Sequence, residues 1–253
     1  MTADPALIWA YLTQGPLLWL TATLGAYALG DAVSRAMGRQ SWANPVLIAV
    51  LALGLLLTVT GTDYATYFEG AQFVHFLLGP ATVCLALPMH DNLARMRAAA
   101  LPIVAGLLAG SLVAVGSALA IAHLFGLGPQ VLASLAPKST TAPVAIGIAE
   151  RLGGLPTLTA ALVLITGIFG AMVVTPLFDA LGLRDWRARG LAVGTAAHGI
   201  GTARALQVNP TAGAGTARAL QVNPTAGAFA GIGMGLNAVL TAILAPLVLR
   251  LFV

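Results

Sequence analysis

Long stretches without a charged residue are the feature that most constrains how this chain can fold. A helix needs about 20 mostly apolar residues to cross a membrane. Only 8% of the 253 residues are charged, against roughly 25% in an ordinary soluble domain. The sequence therefore predicts an integral membrane protein and excludes soluble enzymes, nucleic-acid binders and disordered scaffolds. The uncharged stretches are Pro5–Gly30, Gln40–Thr62, Gly70–His90, Ala98–Pro137, Leu152–Phe178 and Ala219–Leu249.

These stretches are continuous rather than alternating, which favours helices over a transmembrane β-barrel. We expect an all-α polytopic protein of about six to eight transmembrane helices, two of whose segments are broken or re-entrant. We expect residues 1–253 to form a single membrane domain. No nucleophile–base pair or metal cluster is visible, so the sequence predicts no enzyme activity, no metal and no cofactor.

The positions of the charges predict the orientation of the helices. Arginines lie in the loops at residues 35–39, 95–97 and 184–189, whereas the loop at residues 63–69 has acids and no cation. Cytoplasmic loops carry an excess of lysine and arginine. We therefore expect the three basic loops to be cytoplasmic, and the acidic loop and the N-terminus to be external.

This orientation gives the middle of the chain an unusual path. Residues 98–125 run outward and residues 157–181 run inward, so residues 130–154 begin and end outside. We expect this segment to enter the membrane and return without crossing it. A second interrupted stretch, residues 190–207, enters from the inside, and the last span runs outward to Val253.

The first unusual segment, residues 137–143, reads Pro-Lys-Ser-Thr-Thr-Ala-Pro. Pro137 and Pro143 cannot both lie inside one regular helix, so they predict a break. A break exposes backbone donors, and beside a cation and hydroxyl groups those donors suit an anion. The alternative is that Lys138 extends to the membrane interface. The predicted half-site consists of Lys138, Ser139, Thr140 and Thr141.

The second unusual segment, residues 194–204, is rich in small residues. Glycine allows backbone bends and close helix approach, so we take Gly194, Gly199 and Gly201 as helix-break positions. A break would let His198 and Arg204 converge, and arginine matches a carboxylate with two hydrogen bonds. Alternatively, Arg204 is a cytoplasmic loop charge and His198 a packing residue. The predicted second half-site consists of His198, Thr202 and Arg204.

Two further positions carry weaker signals. Asn237 is polar in mid-span. It either forms hydrogen bonds that hold neighbouring helices together or is part of the site. Pro80, after Gly79, marks another break or only a kink. No acid lies in mid-span, so an ion site built on a buried carboxylate is not evident. His198 is then the one mid-segment group that titrates near neutrality.

Residues 201–214 are repeated, letter for letter, as residues 215–228. Two identical copies are not typical of a repeat fold, so we interpret them as a tandem insertion. A packed site cannot absorb about 21 Å of added helix, so one copy should form a loop. The arginine of the site is then Arg204 or Arg218, and the sequence does not decide between them.

At these motifs the chain resembles the LrgB/CidB family of bacterial inner-membrane proteins. The resemblance extends from Tyr67 to the C-terminus, and the doubled segment is the departure from the family pattern. The matching stretches are Tyr67–Pro88, Leu135–Ala160, Arg187–Leu206 and Gly227–Pro246.

The resemblance implies two functions. One is an antiholin-like regulator of murein hydrolase activity and cell lysis, working with an LrgA/CidA-type membrane partner. The other is transport, because a plastid relative with fused LrgA-like and LrgB-like halves resembles a glycolate/glycerate exchanger, and bacterial relatives are linked to pyruvate movement. The hydroxyls, lysine and arginine at two breaks favour a transporter of small monocarboxylates. The resemblance implies the bacterial inner membrane, and we expect a multi-pass protein that forms a homo-oligomer.

Overall fold

The structure, a computed structural model, describes residues 15–77, 80, 83, 90, 93–207 and 224–253. Over these residues the chain forms ten helices and no strand, which confirms the all-α class. The helices group into two compact units, residues 1–85 and 86–253.

The first unit holds three described helices: α1 (Pro16–Ala36), α2 (Pro45–Thr60) and α3 (Tyr64–Phe76). Helix α1 packs against both α2 and α3. The Trp19 ring is almost fully buried and meets the Tyr67 ring edge-on, with centroids 6.0 Å apart. This aromatic contact therefore joins α1 to α3.

Helix α1 does not follow the uncharged stretch from which we expected the first span. It begins at Pro16, because proline is favoured in the first turn of a helix, and it continues past Gly30 to Ala36. Asp31 supports this extension, since its carboxylate pairs with Arg35 at 3.1 Å and with Arg39 at 3.0 Å. Paired charges therefore prolong the helix beyond its apolar part.

Local side chains define the turns of the first unit. The Asn44 side chain accepts a hydrogen bond from the N–H of Val46 at 2.8 Å and so caps α2, as asparagine often does. Helix α2 ends at Gly61, whose φ is +64°. The Asp63 carboxylate accepts the N–H of Thr66 at 2.6 Å, and this bond lowers the pKa of Asp63.

The second unit contains the remaining seven described helices. They are α4 (Leu93–Ala98), α5 (Ala100–Leu124), α6 (Pro129–Leu135), α7 (Ala142–Arg151), α8 (Pro156–Ala180), α9 (Trp186–Gln207) and α10 (Pro224–Leu249).

Four of the described helices are long and apolar enough to cross a membrane: α1, α5, α8 and α10. Helix α2 is apolar but shorter, with 16 residues. Large apolar side chains point outward from the long helices, including Leu101, Val113, Phe169 and Val239. Such a surface suits contact with lipid rather than water. A membrane protein is therefore shown, while the total of six to eight spans stays a prediction.

The interior of the second unit is built around α10. Near one end, Leu119 of α5 and Leu132 of α6 are buried in one cluster with Ala245 of α10. Farther along, Leu107 of α5 packs with Phe229 of α10. The short helix α6 is thus enclosed between two long helices.

Helices α9 and α10 approach each other closely through glycine. A Cβ atom added at Gly194 would lie 2.0 Å from the Ala230 carbonyl oxygen, and one at Gly190 would lie 2.2 Å from that of Ala226. Small residues spaced four apart allow such backbone approach in membrane helices. This pair of glycines therefore fixes α9 against α10.

Candidate functional site

The chain between α6 and α7 is not helical and lies inside the second unit. The N–H of Thr140 and its hydroxyl both donate to the Pro137 carbonyl, at 3.0 Å and 2.9 Å. Thr140 is fully buried, and Pro143 lies in the first turn of α7. With seven and ten residues, α6 and α7 extend roughly 10 Å and 15 Å at the ordinary helical rise. Each is too short to cross a bilayer alone.

Helix α9 leaves the helical conformation at Ala197 and His198. Ala197 has φ −128° and ψ 17°, and His198 has φ +41° and ψ −133°. Positive φ is uncommon outside glycine, and it tends to occur at functional sites where the surroundings hold it in place. Here the His198 ring is buried, and its Nε2 lies 2.9 Å from the Val163 carbonyl oxygen of α8.

Two glycines of α8 make room for this break. A Cβ atom at Gly167 would lie 2.6 Å from Cε1 of His198, and one at Gly170 would lie 2.6 Å from the Cβ of Ala197. Helix α8 is therefore shaped to accept the non-helical residues of α9.

The glycines named as helix-break positions have a different role in the structure. The non-helical dihedral angles fall at Ala197 and His198, and not at Gly194, Gly199 or Gly201. Gly194 serves the close approach to α10. A Cβ atom at Gly201 would lie 2.7 Å from the Cβ of Ala197, so Gly201 packs against the break. Pro80 is exposed and helical, and its neighbours Gly79 and Ala81 lie outside the described residues.

Asn237 of α10 connects the two polar segments. Its Nδ2 donates to the carbonyl oxygen of Ser139 at 3.2 Å and to that of Thr195 at 3.1 Å. Its Oδ1 accepts the hydroxyl of Ser111 at 2.5 Å and that of Thr241 at 3.3 Å. We call these five residues the Asn237 node. All five are buried, so the node ties α5, α9 and α10 to the α6–α7 connection.

The Asn237 amide has no hydrogen-bonding capacity left over. An amide side chain offers two donors and one carbonyl oxygen with two lone pairs, and the node uses all four. Asn237 therefore acts in this structure as a positioning residue. This agrees with the alternative that Asn237 holds helices together by hydrogen bonds, rather than with direct ligand binding.

Lys138 lies beside this node and is half-buried. Its Nζ is 3.4 Å from the Ser139 hydroxyl. No ion pair of Lys138 occurs within the described part of the chain. Through Asn237, the segment that holds Lys138 and Ser139 is joined to Thr195, which lies three residues before His198.

The remaining predicted residues are Thr202, Thr141, Arg204 and Arg218. The Thr202 hydroxyl donates to the His198 carbonyl at 2.8 Å and is fully buried, so it satisfies an acceptor at the break. Thr141 is half-buried and precedes α7, where its carbonyl accepts the N–H of Ala145 at 2.9 Å. Arg204 instead lines a separate cavity, described below, and Arg218 lies outside the described residues.

Sequence reasoning missed two members of the node, Ser111 and Thr195. Each shares its helix with another hydroxyl residue, Ser117 in α5 and Thr202 in α9. Helix hydroxyls commonly bond to their own helix, as Thr195 also does with the Leu191 carbonyl at 2.8 Å. Only their distance to Asn237 distinguishes them, and that distance depends on the packing of α5, α9 and α10.

Apolar helices that enclose two polar, non-helical segments define a helical membrane protein with a polar centre. Residues 23–214 and 211–251 match the LrgB-like family model. The chain therefore belongs to the LrgB-like family. The boundary between the two matched ranges falls within the duplicated segment.

Curated relatives support this membership. The Holin-like protein CidB of Staphylococcus epidermidis is 32% identical over 209 residues, which cover 83% of this chain and 85% of that protein. The uncharacterized protein YxaC of Bacillus subtilis is 34% identical over 82% of this chain and 84% of its own length. CidB of Staphylococcus aureus is 31% identical over 83% and 85%. No solved structure matches the chain.

Proposed function

We propose that this protein is a secondary transporter of small monocarboxylates, of the pyruvate, glycolate or glycerate type, in the bacterial inner membrane. The carboxylate binds between the α6–α7 connection and the break in α9. Transport fits the second unit because its interior holds two interrupted segments joined by one polar node.

The observation that carries the proposal is the half-buried Lys138 beside the two non-helical segments. A cation within a membrane protein is costly and is usually functional. Its neighbour Ser139 offers a hydroxyl, and the break at His198 interrupts the helical conformation of α9. A carboxylate is the small ligand that an ammonium, hydroxyl groups and backbone N–H groups bind together.

Roles follow from the geometry. Lys138 supplies the charge, and the hydroxyls of Ser139, Thr140 and Thr141 line the same connection. Asn237 holds the two segments in register. Because His198 titrates near neutrality as a free side chain, it is the residue through which proton coupling would be tested.

Uptake of labelled pyruvate and glycolate into proteoliposomes tests the proposal. We expect Lys138→Gln to lower uptake about tenfold or more, because a lost charge-assisted bond is worth about 1.5–3 kcal/mol. The matched control is Arg151→Gln, which removes an exposed cation at the other end of α7 and should leave uptake unchanged. Equal uptake by wild type and Lys138→Gln contradicts the proposal.

The second candidate is regulation of murein hydrolase activity and cell lysis as a homo-oligomer with an LrgA/CidA-type partner. The name of the CidB relatives, "Holin-like", favours it. Under this function, deletion of the gene changes the rate of autolysis. Expression of the Lys138→Gln variant in the deletion strain restores the normal rate. Under transport, the same variant fails to restore any phenotype that depends on the substrate.

A further inference from the structure

A small, partly open cavity lies among the ends of α8, α9 and α10, and two arginines line it. Arg189 belongs to the first turn of α9 and Arg204 to its last. The apolar walls include Val174, Val193 and Ala226. None of the five residues of the Asn237 node lines this cavity, so the cavity is separate from the node.

Arg189 is held rigidly, with part of its guanidinium still available. Its Nη2 donates to Asp179 at 2.6 Å, its Nε donates to the Leu183 carbonyl, and its side chain is 10% exposed. The guanidinium lies over the rings of Trp186 at 4.9 Å and Phe178 at 5.7 Å. Its Nη1 makes no hydrogen bond within the described residues. The N–H groups of this nitrogen can therefore bind a ligand in the cavity while the other contacts hold the guanidinium in place.

The surroundings of the cavity are positively charged. Residues 179–204 contain four arginines and two aspartates. Asp185 pairs with Arg187 at 2.8 Å, and hydrogen bonds from the Arg187 side chain lower the pKa of Asp185, which stays ionised at neutral pH. Asp179 pairs with Arg189. Residues 179–204 therefore carry two more arginines than acids.

We propose that this cavity binds one anionic oxygen-acid group, a phosphate or a carboxylate, between Arg189 and Arg204. Arginine forks match the oxygens of both groups. Basic pockets between helices on the cytoplasmic side take anionic lipid headgroups, and a free acid offers the same chemistry. The proposal does not depend on the transport function.

Trp186 provides the measurement, because its ring lies beside the guanidinium that would contact the ligand. Full-length protein in phosphatidylcholine nanodiscs is titrated with pyruvate and with inorganic phosphate. Separate nanodiscs contain increasing fractions of phosphatidylglycerol. The readout is tryptophan fluorescence, and Trp186→Phe identifies the part of the signal that belongs to the cavity.

We expect a saturable change that Trp186→Phe abolishes. Arg204→Gln should weaken binding about tenfold. Arg189→Gln should weaken binding by a similar factor, but it also removes the ion-pair partner of Asp179. The thermal unfolding of this variant is therefore measured in parallel. The matched control is Arg187→Gln, a neighbouring exposed arginine outside the cavity, which should change binding by less than about twofold.

Each outcome has a defined meaning. Saturation only with phosphatidylglycerol supports the site and identifies a lipid, and saturation with pyruvate or phosphate supports it and identifies a free anion. The proposal is overturned if no titration gives a signal that depends on Trp186, or if Arg187→Gln weakens binding as much as Arg204→Gln. Failure here leaves the Lys138 uptake test unaffected.

Discussion

The amide of Asn237 uses both of its donors and both acceptor positions within a buried node. Because the carbonyl groups of Ser139 and Thr195 belong to the two interrupted segments, this one side chain determines their spacing. At the residue scale, the node thus links the α6–α7 connection to α9 just before its break.

Replacing Asn237 with leucine tests this link. The carbonyl oxygens of Ser139 and Thr195 would lose a donor, and a buried polar group left without its partner costs about 1–3 kcal/mol. We expect Asn237→Leu to lower the free energy of unfolding by about 2 kcal/mol or more, measured by thermal unfolding in detergent. Thr241→Val, which removes only the 3.3 Å bond, is the control. Equal stability of the two variants would show that the node does not hold the segments.

His198 combines an unfavourable backbone conformation with a ring that bonds to α8. Glycine adopts positive φ without strain, whereas alanine keeps the strain and loses the ring. We expect His198→Gly to be more stable than His198→Ala by about 1 kcal/mol, measured by thermal unfolding. The opposite order would mean that the break is absent from the folded protein. Neither variant retains the bond to the Val163 carbonyl, so the comparison isolates the backbone.

The sequence contains signals for some of these residues and not for others. Asn237, Lys138 and His198 are identifiable because each is polar in an apolar stretch, and such residues need a partner. The separation of Arg204 from Lys138 is not predictable, because the direction of α9 after its break depends on the dihedral angles of Ala197 and His198. That these side chains bind a substrate stays a prediction.

At the scale of helices, uncharged stretches predict the long elements well. The spans expected at residues 98–125 and 157–181 appear as α5 (Ala100–Leu124) and α8 (Pro156–Ala180). Turn-forming glycines and first-turn prolines mark these ends. Helix α1 departs from its stretch, because the pairing of Asp31 with two arginines depends on contacts that composition does not reveal.

The contact between α9 and α10 depends on glycine. At Gly194 an added methyl group would meet the Ala230 backbone, which cannot move without displacing α10. We expect Gly194→Ala to lower the free energy of unfolding by about 1–3 kcal/mol or more. Gly235→Ala is the matched control, since a Cβ atom at Gly235 meets nothing within 4 Å. Destabilisation of similar size in both variants would contradict the packing seen here.

The duplicated segment supplies the end of one helix from its first copy and the start of the next from its second. Residues 201–207 end α9, and residues 224–228 begin α10. The two ends meet, because a Cβ atom at Gly227 would lie 2.0 Å from the Leu206 side chain.

Deleting residues 208–221 restores a single copy and tests this arrangement. Because Leu206 and Gly227 keep their neighbours, we expect the free energy of unfolding of the shortened protein to lie within about 1 kcal/mol of that of the full chain. In the full chain, Arg204→Ala should affect anion binding while Arg218→Ala should not. Loss of folding on deletion would show that residues 208–221 are needed for the fold, and a stronger effect of Arg218→Ala would show that the second copy carries the functional arginine.

For the whole molecule, the charges and helix lengths together predict the path through the membrane. Leu127 precedes α6, Glu150 is near the end of α7, and Arg184 follows α8; all three are exposed. If α6 and α7 return without crossing, Leu127 and Glu150 lie outside and Arg184 inside.

Single cysteines at these three positions, in a Cys84→Ser background, test that path. We expect an impermeant maleimide added to intact cells to label Leu127→Cys and Glu150→Cys, and to label Arg184→Cys only after permeabilisation. Labelling of Leu127→Cys and Glu150→Cys from opposite sides would show that residues 130–154 cross the membrane.

The meeting of Leu206 with Gly227 has a genetic consequence. The ends of α9 and α10 pack together with either length of the connection between them. Selection for folding therefore acts only weakly on the length of this connection. Loss of any fourteen-residue window within residues 201–228 leaves the same single-copy sequence, so slippage during replication can revert the duplication from many starting points. Both lengths of the gene should therefore arise in cultures grown from one cell.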